Sequence, residues 1–361
     1  MTVSSDRTLS GLSSLFLDSL RFMAALIVLI THARAIWFPE GELDQVPSNL
    51  SHGAVVVFFV LSGFVIAHTT THSNRGPAAY AIARLSRLYS VFLPAMIITT
   101  ICFLTLKSIN PGIFNQYNQD QSGFRFLISV FFCNEIWFFS SAPLINGPIW
   151  SLSHEFWFYM IFGSIYYKRK GVKGLLIPAI MCVIAGPKIL MLMFMWMLGW
   201  LVYQLPRPSI TLSYTVTLIV CLLVAAGLTI FYLPSWPNYV NTTRLHWADK
   251  FLSDFLVSLI IAFIFYLLPN GDLIKIPDKI VSICRKISDL TFPIYVLHFP
   301  LLVMSRALLT GIDQPYSQFI ISLISVFTIC TVLGFFLESK RRIWDDLFKR
   351  IFNVLSIHSL K

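Results

Sequence analysis

The sequence predicts an all-α integral membrane protein with about ten transmembrane helices and with both termini in the cytoplasm. Of its 361 residues, 56% are hydrophobic and only 12% are charged, a balance that a soluble fold cannot accommodate. Several apolar runs have about the ~20 residues that a helix needs to cross a bilayer. These runs are continuously apolar and do not alternate as barrel strands do, so helices are predicted.

Ten helices are expected in chain order, near residues 15–37, 53–70, 86–106, 147–167, 172–186, 188–204, 210–232, 250–269, 287–306 and 317–338. Residues 1–338 are predicted to form the membrane domain, and residues 339–361 a basic amphipathic tail in the cytoplasm. The first apolar stretch is not read as a signal peptide, because it is too long and contains ionisable residues.

The basic residues predict the orientation of these helices. Most of the 27 Lys and Arg residues fall on the side that holds the N-terminus, notably in the cluster 168–173, and the positive-inside rule identifies that side as cytoplasmic. The net charge of +10 therefore reflects membrane topology and not nucleic-acid binding. Residues 124–139 are apolar enough to span, but a full crossing would move the basic cluster outside. A re-entrant or interfacial helix is predicted there instead.

Two further patterns bear on function. The outer connection 234–247 is rich in Pro, Asn and Trp, which is typical of interfacial anchors and also of surfaces that bind sugar rings. The six cysteines are scattered singly, so neither a disulfide framework nor a metal site is predicted.

Three ionisable residues on the first helix require an explanation, because each costs at least a few kcal/mol inside a membrane. They are Asp18, Arg21 and His32. Eleven residues of helix bring His32 back to within about 20° of Arg21 and separate the two by about 16 Å along the axis. Arg21 is expected near the cytoplasmic end, where snorkelling is the alternative. His32 is expected in the outer half, where it can accept a proton.

Arg84 and Arg87 lie three residues apart at the inner end of the third helix, so they share one face. Two guanidinium groups match phosphate oxygens, and the pair is predicted to bind a cytoplasmic donor with several phosphates, such as coenzyme A. The alternative is that they anchor the helix at the inner surface.

The stretch 146–159 enters the fourth span from outside and carries Glu155 about 12 Å into the membrane, close to the depth of His32. A carboxylate beside an imidazole orients the ring and stabilises its charged form, so a contact between the two is expected. Ser151 and Tyr159 share the face of Glu155. The supporting polar interior also includes Asp18 and four further side chains: Trp150, Ser153, Tyr295 and His298.

Five sequence blocks together resemble the acyltransferase-3 family of integral membrane acyltransferases. They are LDSLR at 17–21 with the later His32, VFFVLSGF at 57–64, RLSRLY at 84–89, WSLSHE at 150–155 and IYVLH at 294–298. Their order and spacing carry the resemblance, which covers most of the chain. The sequence departs from the family pattern at Ser90 and Ser339, where the family commonly has Pro.

The resemblance implies ten helices and transfer of an acyl group, usually acetyl from acetyl-CoA, to a hydroxyl of an extracytoplasmic glycan. In that reading His32 matches the essential His of the family, Arg21 its partner, and Arg84 and Arg87 the donor-binding pair. Glu155 is predicted to act with His32 as the second catalytic residue. The chain is expected to be an O-acetyltransferase of the bacterial inner membrane, with lipopolysaccharide O-antigen, or another lipid-linked glycan, as the acceptor.

Two alternatives stay open from the sequence. The same intramembrane charges could line the path of a transporter that exports a glycan or an acyl anion without acyl-transfer chemistry. An acyltransferase acting on a lipid, on peptidoglycan or on a secondary metabolite is also compatible with these residues. The predicted partners are membrane lipid, acyl-CoA and an extracytoplasmic or lipid-linked glycan. Acetyl-CoA is expected as the donor substrate of the acyltransferase, and no metal is predicted.

Overall fold

A computed structural model of the chain describes residues 9, 11–39, 49–73, 76–233, 236, 245–269 and 276–358. Within these ranges the chain is helical and has no β-strand, which confirms the all-α prediction. The apolar runs become helices because a helix satisfies every backbone N–H and C=O inside its own segment. Of the outer loop predicted at 234–247, residues 234–235 and 237–244 lie outside the described residues.

The described residues form the helices α1 Gly11–Trp37, α2 Asn49–His72, α3 Pro77–Ile109, α4 Pro111–Tyr117, α5 Ser122–Val130, α6 Trp150–Tyr166, α7 Leu176–Ala185, α8 Pro187–Gln204, α9 Leu212–Tyr232, α10 Phe251–Leu267, α11 Asp278–Asp289, α12 Thr291–Leu308, α13 Pro315–Ser339 and α14 Arg341–His358. Helices α3, α4, α8 and α13 each begin with proline, whose fixed φ and missing N–H suit the first helical position.

All ten expected helices are present, as α1, α2, α3, α6 to α10, α12 and α13. Seven segments of the described chain are long and apolar enough to cross a membrane by length and composition. Helices α6, α7 and α10 are shorter, with 17, 10 and 17 residues. The predicted amphipathic tail forms α14, and two short helices, α4 and α11, were not anticipated.

The segment predicted as one helix at 124–139 is only partly helical. Helix α5 ends at Val130, and the chain then runs in turns as far as residue 146. The turn is held at Phe132, whose φ is 55° and whose carbonyl oxygen accepts hydrogen bonds from Ser153 Oγ at 2.7 Å and Trp157 Nε1 at 2.9 Å. A helix of nine residues is about 13 Å long, which is too short to span a bilayer.

The chain divides into two compact units, and the described parts of each have their own packing. Unit 1 comprises residues 1–31, 40–73 and 187–291, and its centre is α2 packed against α8 and α10. Two glycines allow α2 and α8 to approach closely. A Cβ atom on Gly63 would lie 1.9 Å from the Trp196 carbonyl oxygen, and one on Gly199 would lie 1.9 Å from that of Val60. Small residues at such crossings are typical of membrane helices.

Unit 2 comprises residues 32–39, 74–186 and 292–361, and α3 packs there against α4, α6, α13 and α14. Helix α3 runs unbroken through Ser90, so the departure from Pro at this position does not end it. The apolar face of α14 meets α3 at Tyr89, whose ring lies 6.4 Å from that of Trp344 and 5.6 Å from that of Phe348. These ring contacts cover part of the apolar face of α14, which favours a helix in the amphipathic tail.

Candidate active site

A pair of histidines lies at the centre of the site in unit 2. His32, near the C-terminal end of α1, and His298, in the middle of α12, approach with Nδ1 of the first 2.8 Å from Nε2 of the second. The two rings lie side by side and nearly coplanar, with centroids 5.1 Å apart and planes within 5° of parallel. His298 is fully buried, and the edge of Phe299 packs against the His32 ring at 5.4 Å. The Nδ1 edge of the His32 ring is therefore held by His298, and its side is packed by Phe299.

The hydrogen bonds of His298 determine where the protons sit on both rings. His298 Nδ1 lies 2.7 Å from the Tyr295 carbonyl oxygen and 3.1 Å from that of Ile294. A carbonyl can only accept, so Nδ1 carries the proton and Nε2 of the neutral ring is an acceptor. His32 must then donate from Nδ1, and its own Nε2 keeps a lone pair. The arrangement thus prepares His32 Nε2 to accept a proton.

The N-terminal end of α6 and the residues just before it hold α12 in position one turn before His298. The Tyr295 hydroxyl donates to the Pro148 carbonyl oxygen at 2.9 Å and lies 2.6 Å from Ser151 Oγ. Because the tyrosine proton is directed at Pro148, the Ser151 hydroxyl donates to the Tyr295 oxygen. Asn146 Nδ2 adds a hydrogen bond of 3.0 Å to the Val296 carbonyl oxygen. These buried bonds hold the backbone that orients His298.

The prediction that His32 contacts Glu155 is wrong. In the described part of the chain the His32 ring contacts His298 and Phe299, whereas Glu155 Oε1 accepts a hydrogen bond from the Tyr159 hydroxyl. Ser151 is the residue of α6 that faces α12, and Glu155 lies one helical turn, about 6 Å, farther along the axis. Matching depth alone did not predict which residue of α6 would face the histidines.

Arg84 reaches α6 from α3, as part of the arginine pair predicted from sequence. Its guanidinium carbon lies 5.7 Å from the ring centroid of Tyr80 and 5.8 Å from that of Tyr159, which is within the range of cation–π attraction. The Tyr80 hydroxyl donates to the Tyr159 carbonyl oxygen at 3.1 Å. Arg84 Nε is buried without a hydrogen-bond partner among the described residues. Arg87, one turn along α3, lies within electrostatic range of the Tyr159 hydroxyl.

These contacts connect the two ends of the site through α6. At one end Arg84 packs on Tyr159, which bonds Glu155. Glu155 is within electrostatic range of the Tyr295 hydroxyl, and the Tyr295 carbonyl group orients His298. Four members of the predicted polar interior are therefore brought together in unit 2, namely Ser151, Tyr159, Tyr295 and His298. Tyr80 is a further member that the sequence did not single out.

The other predicted residues have different surroundings. Asp18 and Arg21 are partly buried on the part of α1 that belongs to unit 1, and Asp18 Oδ2 is buried without a hydrogen-bond partner among the described residues. Trp150 packs edge-on against His154, with ring centroids 5.3 Å apart, and Ser153 holds the Phe132 turn. Trp150 and Ser153 thus support the shape of the site, and the role of Arg21 stays a prediction.

One comparison with known proteins is informative. A family model described as an acyltransferase domain matches residues 14–337, a range that contains every predicted site residue. No curated protein and no solved structure shows a match to the chain.

Proposed function

The chain belongs to the acyltransferase-3 family and is a membrane acyltransferase, and from this premise we propose that it transfers acetyl from acetyl-CoA to a hydroxyl of an extracytoplasmic glycan. We further propose lipopolysaccharide O-antigen as that glycan and the bacterial inner membrane as the location. The observation that carries the proposal is the hydrogen bond between His32 and His298, because it leaves His32 Nε2 as a base.

In the proposed reaction, His32 Nε2 takes the proton of the acceptor hydroxyl while the hydroxyl oxygen attacks the thioester carbon. A carbon–oxygen bond forms, the carbon–sulfur bond breaks, and the coenzyme A thiolate leaves with the proton that His32 had accepted. The products are the acetylated glycan and free coenzyme A. His298 acts as a positioning residue, since its Nε2 keeps accepting from His32 Nδ1 while the His32 ring is charged.

The donor is proposed to bind at the other end of the site. Arg84 and Arg87 attract its phosphates, with Arg21 guiding it from the first helix. Arg84 Nε is buried and has no hydrogen-bond partner in the part of the chain that the structure describes. This supports the assignment, because such a donor costs free energy unless a ligand satisfies it.

Glu155 is proposed to act as the negative charge of the polar interior. It accepts a hydrogen bond from Tyr159, whose ring packs under the Arg84 guanidinium. In a low-dielectric interior a carboxylate offsets positive charge over several ångströms without touching it. We therefore keep Glu155 as an electrostatic contributor to the step in which His32 becomes charged.

The proposed topology explains why the protein would need both a histidine end and an arginine end of its site. With a cytoplasmic N-terminus, α1 carries His32 towards the outer surface, and Arg84 lies near the start of α3 on the inner side. The acetyl group would then pass from a cytoplasmic donor to an external acceptor, and the donor itself would not need to cross.

The experiment that tests this function uses the full chain, purified in detergent, with acetyl-CoA and isolated O-antigen polysaccharide. We expect release of the free coenzyme A thiol and a mass increase of one acetyl group on the polysaccharide. His32→Ala and Glu155→Ala should lose this activity while inserting normally. The lipopolysaccharide of cells with and without the gene, compared by mass spectrometry, identifies the acetylated sugar.

Two results would contradict the proposal. Wild-type rates in both variants would remove His32 and Glu155 from the chemistry. Transport of a glycan or an acyl anion by the purified protein, with no turnover of acetyl-CoA, would favour the exporter alternative instead.

A further inference from the structure

A large cavity opens in unit 2 beside the arginine pair. Its volume is about 790 Å³, and it lies between α3, α6 and the start of α7, with Phe352 of α14 at one side. This size is within the range of small-molecule and cofactor sites. The cavity is separate from the histidine pair, and neither the proposed reaction nor the packing of the helices accounts for it.

The walls of the cavity are mostly apolar and include several cationic and aromatic side chains. Its described lining includes no Asp or Glu, and its charged members are Lys168, Arg169 and Lys173. Three tyrosines supply flat surfaces: Tyr80, Tyr159 and Tyr167. The walls therefore suit a ligand that combines an aromatic ring with negative charge.

Small residues keep the space open. Ala78, Ala81 and Ser164 line it, and Gly163 lets the Tyr80 ring lie against α6. A Cβ atom at Gly163 would lie only 2.6 Å from that ring. Larger side chains at these positions would displace Tyr80 or occupy the cavity.

The cavity also adjoins the predicted donor site. Tyr80 and Tyr159 form part of its wall and at the same time pack under the Arg84 guanidinium. A ligand in the cavity therefore lies one tyrosine ring away from a buried arginine nitrogen that has no partner in the described chain. This second observation indicates an anion that extends from the cavity towards Arg84.

We propose that this cavity binds the nucleotide end of the acyl-CoA donor. Lys168, Arg169 and Lys173 neutralise its 3′-phosphate, and the tyrosine walls contact its adenine. The diphosphate then lies towards Arg84 and Arg87, and the pantetheine arm continues into the interior. The inference rests on the proposed function, because it presupposes an acyl-CoA donor. It goes beyond that function by assigning recognition of the nucleotide to the connection between α6 and α7.

The simpler explanation of the basic cluster is membrane topology alone. Lys170 separates the two readings, because it belongs to the same run of cations but is not among the residues that line the cavity. If only membrane topology matters, all four cations of residues 168–173 contribute equally. If the cavity is a binding site, only the three that line it contribute to binding.

The test measures binding of coenzyme A and of dephospho-coenzyme A, which lacks the 3′-phosphate, to the full chain in detergent by calorimetry. Lys173→Gln and Arg169→Gln should each weaken coenzyme A binding by about tenfold, the value of one charge-assisted hydrogen bond. They should weaken dephospho-coenzyme A binding less. Lys170→Gln removes the same charge from the same connection and should leave both affinities unchanged.

A second pair of variants tests the space itself. Ala81→Phe fills part of the cavity and should weaken coenzyme A binding by about tenfold or more, whereas Ala79→Phe adds the same ring beside it, at a position that does not line the cavity, and should not. Thermal unfolding of each variant checks that the fold is intact.

The outcomes distinguish this inference from the proposed function. If wild type binds coenzyme A and turns over acetyl-CoA, but Lys173→Gln and Lys170→Gln behave alike, the cavity assignment fails and the function stands. If the lining variants lose binding of phosphatidylglycerol and keep that of coenzyme A, the cavity is a lipid site and the assignment also fails. If wild type neither binds nor turns over acyl-CoA, the proposed function fails and this inference fails with it.

Discussion

The two ends of the site in unit 2 differ in how they are built. The histidine end is closed, and its partners are fixed by backbone carbonyls: His298 is fully buried and donates to the Tyr295 and Ile294 carbonyl oxygens. The arginine end adjoins a cavity of about 790 Å³ with cations at its rim. The histidine end therefore has a fixed geometry, whereas the arginine end has an open volume with positive charge beside it.

The difference indicates a division of labour. Proton transfer requires atoms within hydrogen-bond distance and a defined tautomer, which rigid, buried partners provide. Recognition of a large anionic donor requires volume and several cations, and it tolerates mobile side chains. Variants at the closed end should thus change turnover, and variants at the open end should change affinity.

The largest expected effect is at His32. His32→Ala removes the proposed base and should lower kcat by about 10² to 10⁴-fold, with the KM for acetyl-CoA little changed. Coenzyme A release measured over a range of acetyl-CoA concentrations gives both constants. His72→Ala, a change at an exposed histidine of α2, is the matched control and should retain full activity. A rise in KM alone for His32→Ala would assign this histidine to binding.

A smaller loss of turnover is expected at His298. His298→Ala leaves His32 Nδ1 without its acceptor and should lower kcat by about 10 to 100-fold, since orienting residues of this kind typically contribute that much. His298→Gln offers a carbonyl oxygen to the same N–H and should recover part of the loss, again without a change in KM. Equal activity of the Ala and Gln variants would show that the hydrogen bond does not position His32.

At the open end the expected change is in affinity. Arg84→Lys keeps the charge but loses the planar guanidinium and its stacking on Tyr80 and Tyr159, so the KM for acetyl-CoA should rise by about tenfold while kcat changes less. Arg350→Lys makes the same substitution at an exposed residue of α14 and should have no effect. A fall in kcat at constant KM would contradict the assignment of Arg84 to the donor.

The smallest effect on activity is expected at Tyr295 and Ser151, where the main change should be in stability. Tyr295→Phe removes a hydroxyl that is bonded to both Pro148 and Ser151, and the unsatisfied buried partners should cost about 1–3 kcal/mol of stability. Thermal unfolding of Tyr295→Phe, Ser151→Ala and the double variant measures the coupling between the two hydroxyls. Strictly additive losses would show that the two groups do not interact.

Predictions that concern a single helix agree with the structure. The ten expected helices are present, and Ser151, Glu155 and Tyr159 share one face of α6 closely enough for Tyr159 to bond Glu155. Such relations follow from 3.6 residues per turn, which the sequence spacing reports directly. Arg84 and Arg87 were identified in the same way, from their separation of three residues.

Predictions that concern two helices were less accurate. The sequence paired His32 with Glu155 by depth, but the structure pairs it with His298, 266 residues away in the chain. Depth leaves the rotation of each helix open, and one residue changes the direction of a side chain by about 100°. The end of α5 at Val130 was missed for a similar reason, because the donors to the Phe132 carbonyl come from α6.

The sequence by itself determined that the chain is a helical membrane protein of an acyltransferase family. It also identified the ionisable residues whose presence inside a membrane requires a functional reason. Hydrophobic runs and intrahelical spacing are local properties, so they can be read without the fold. Only the tertiary structure decided that His298 fixes the His32 tautomer, that Glu155 pairs with Tyr159, and that a cavity adjoins Arg84. These depend on how distant helices are rotated and packed, which no local pattern records.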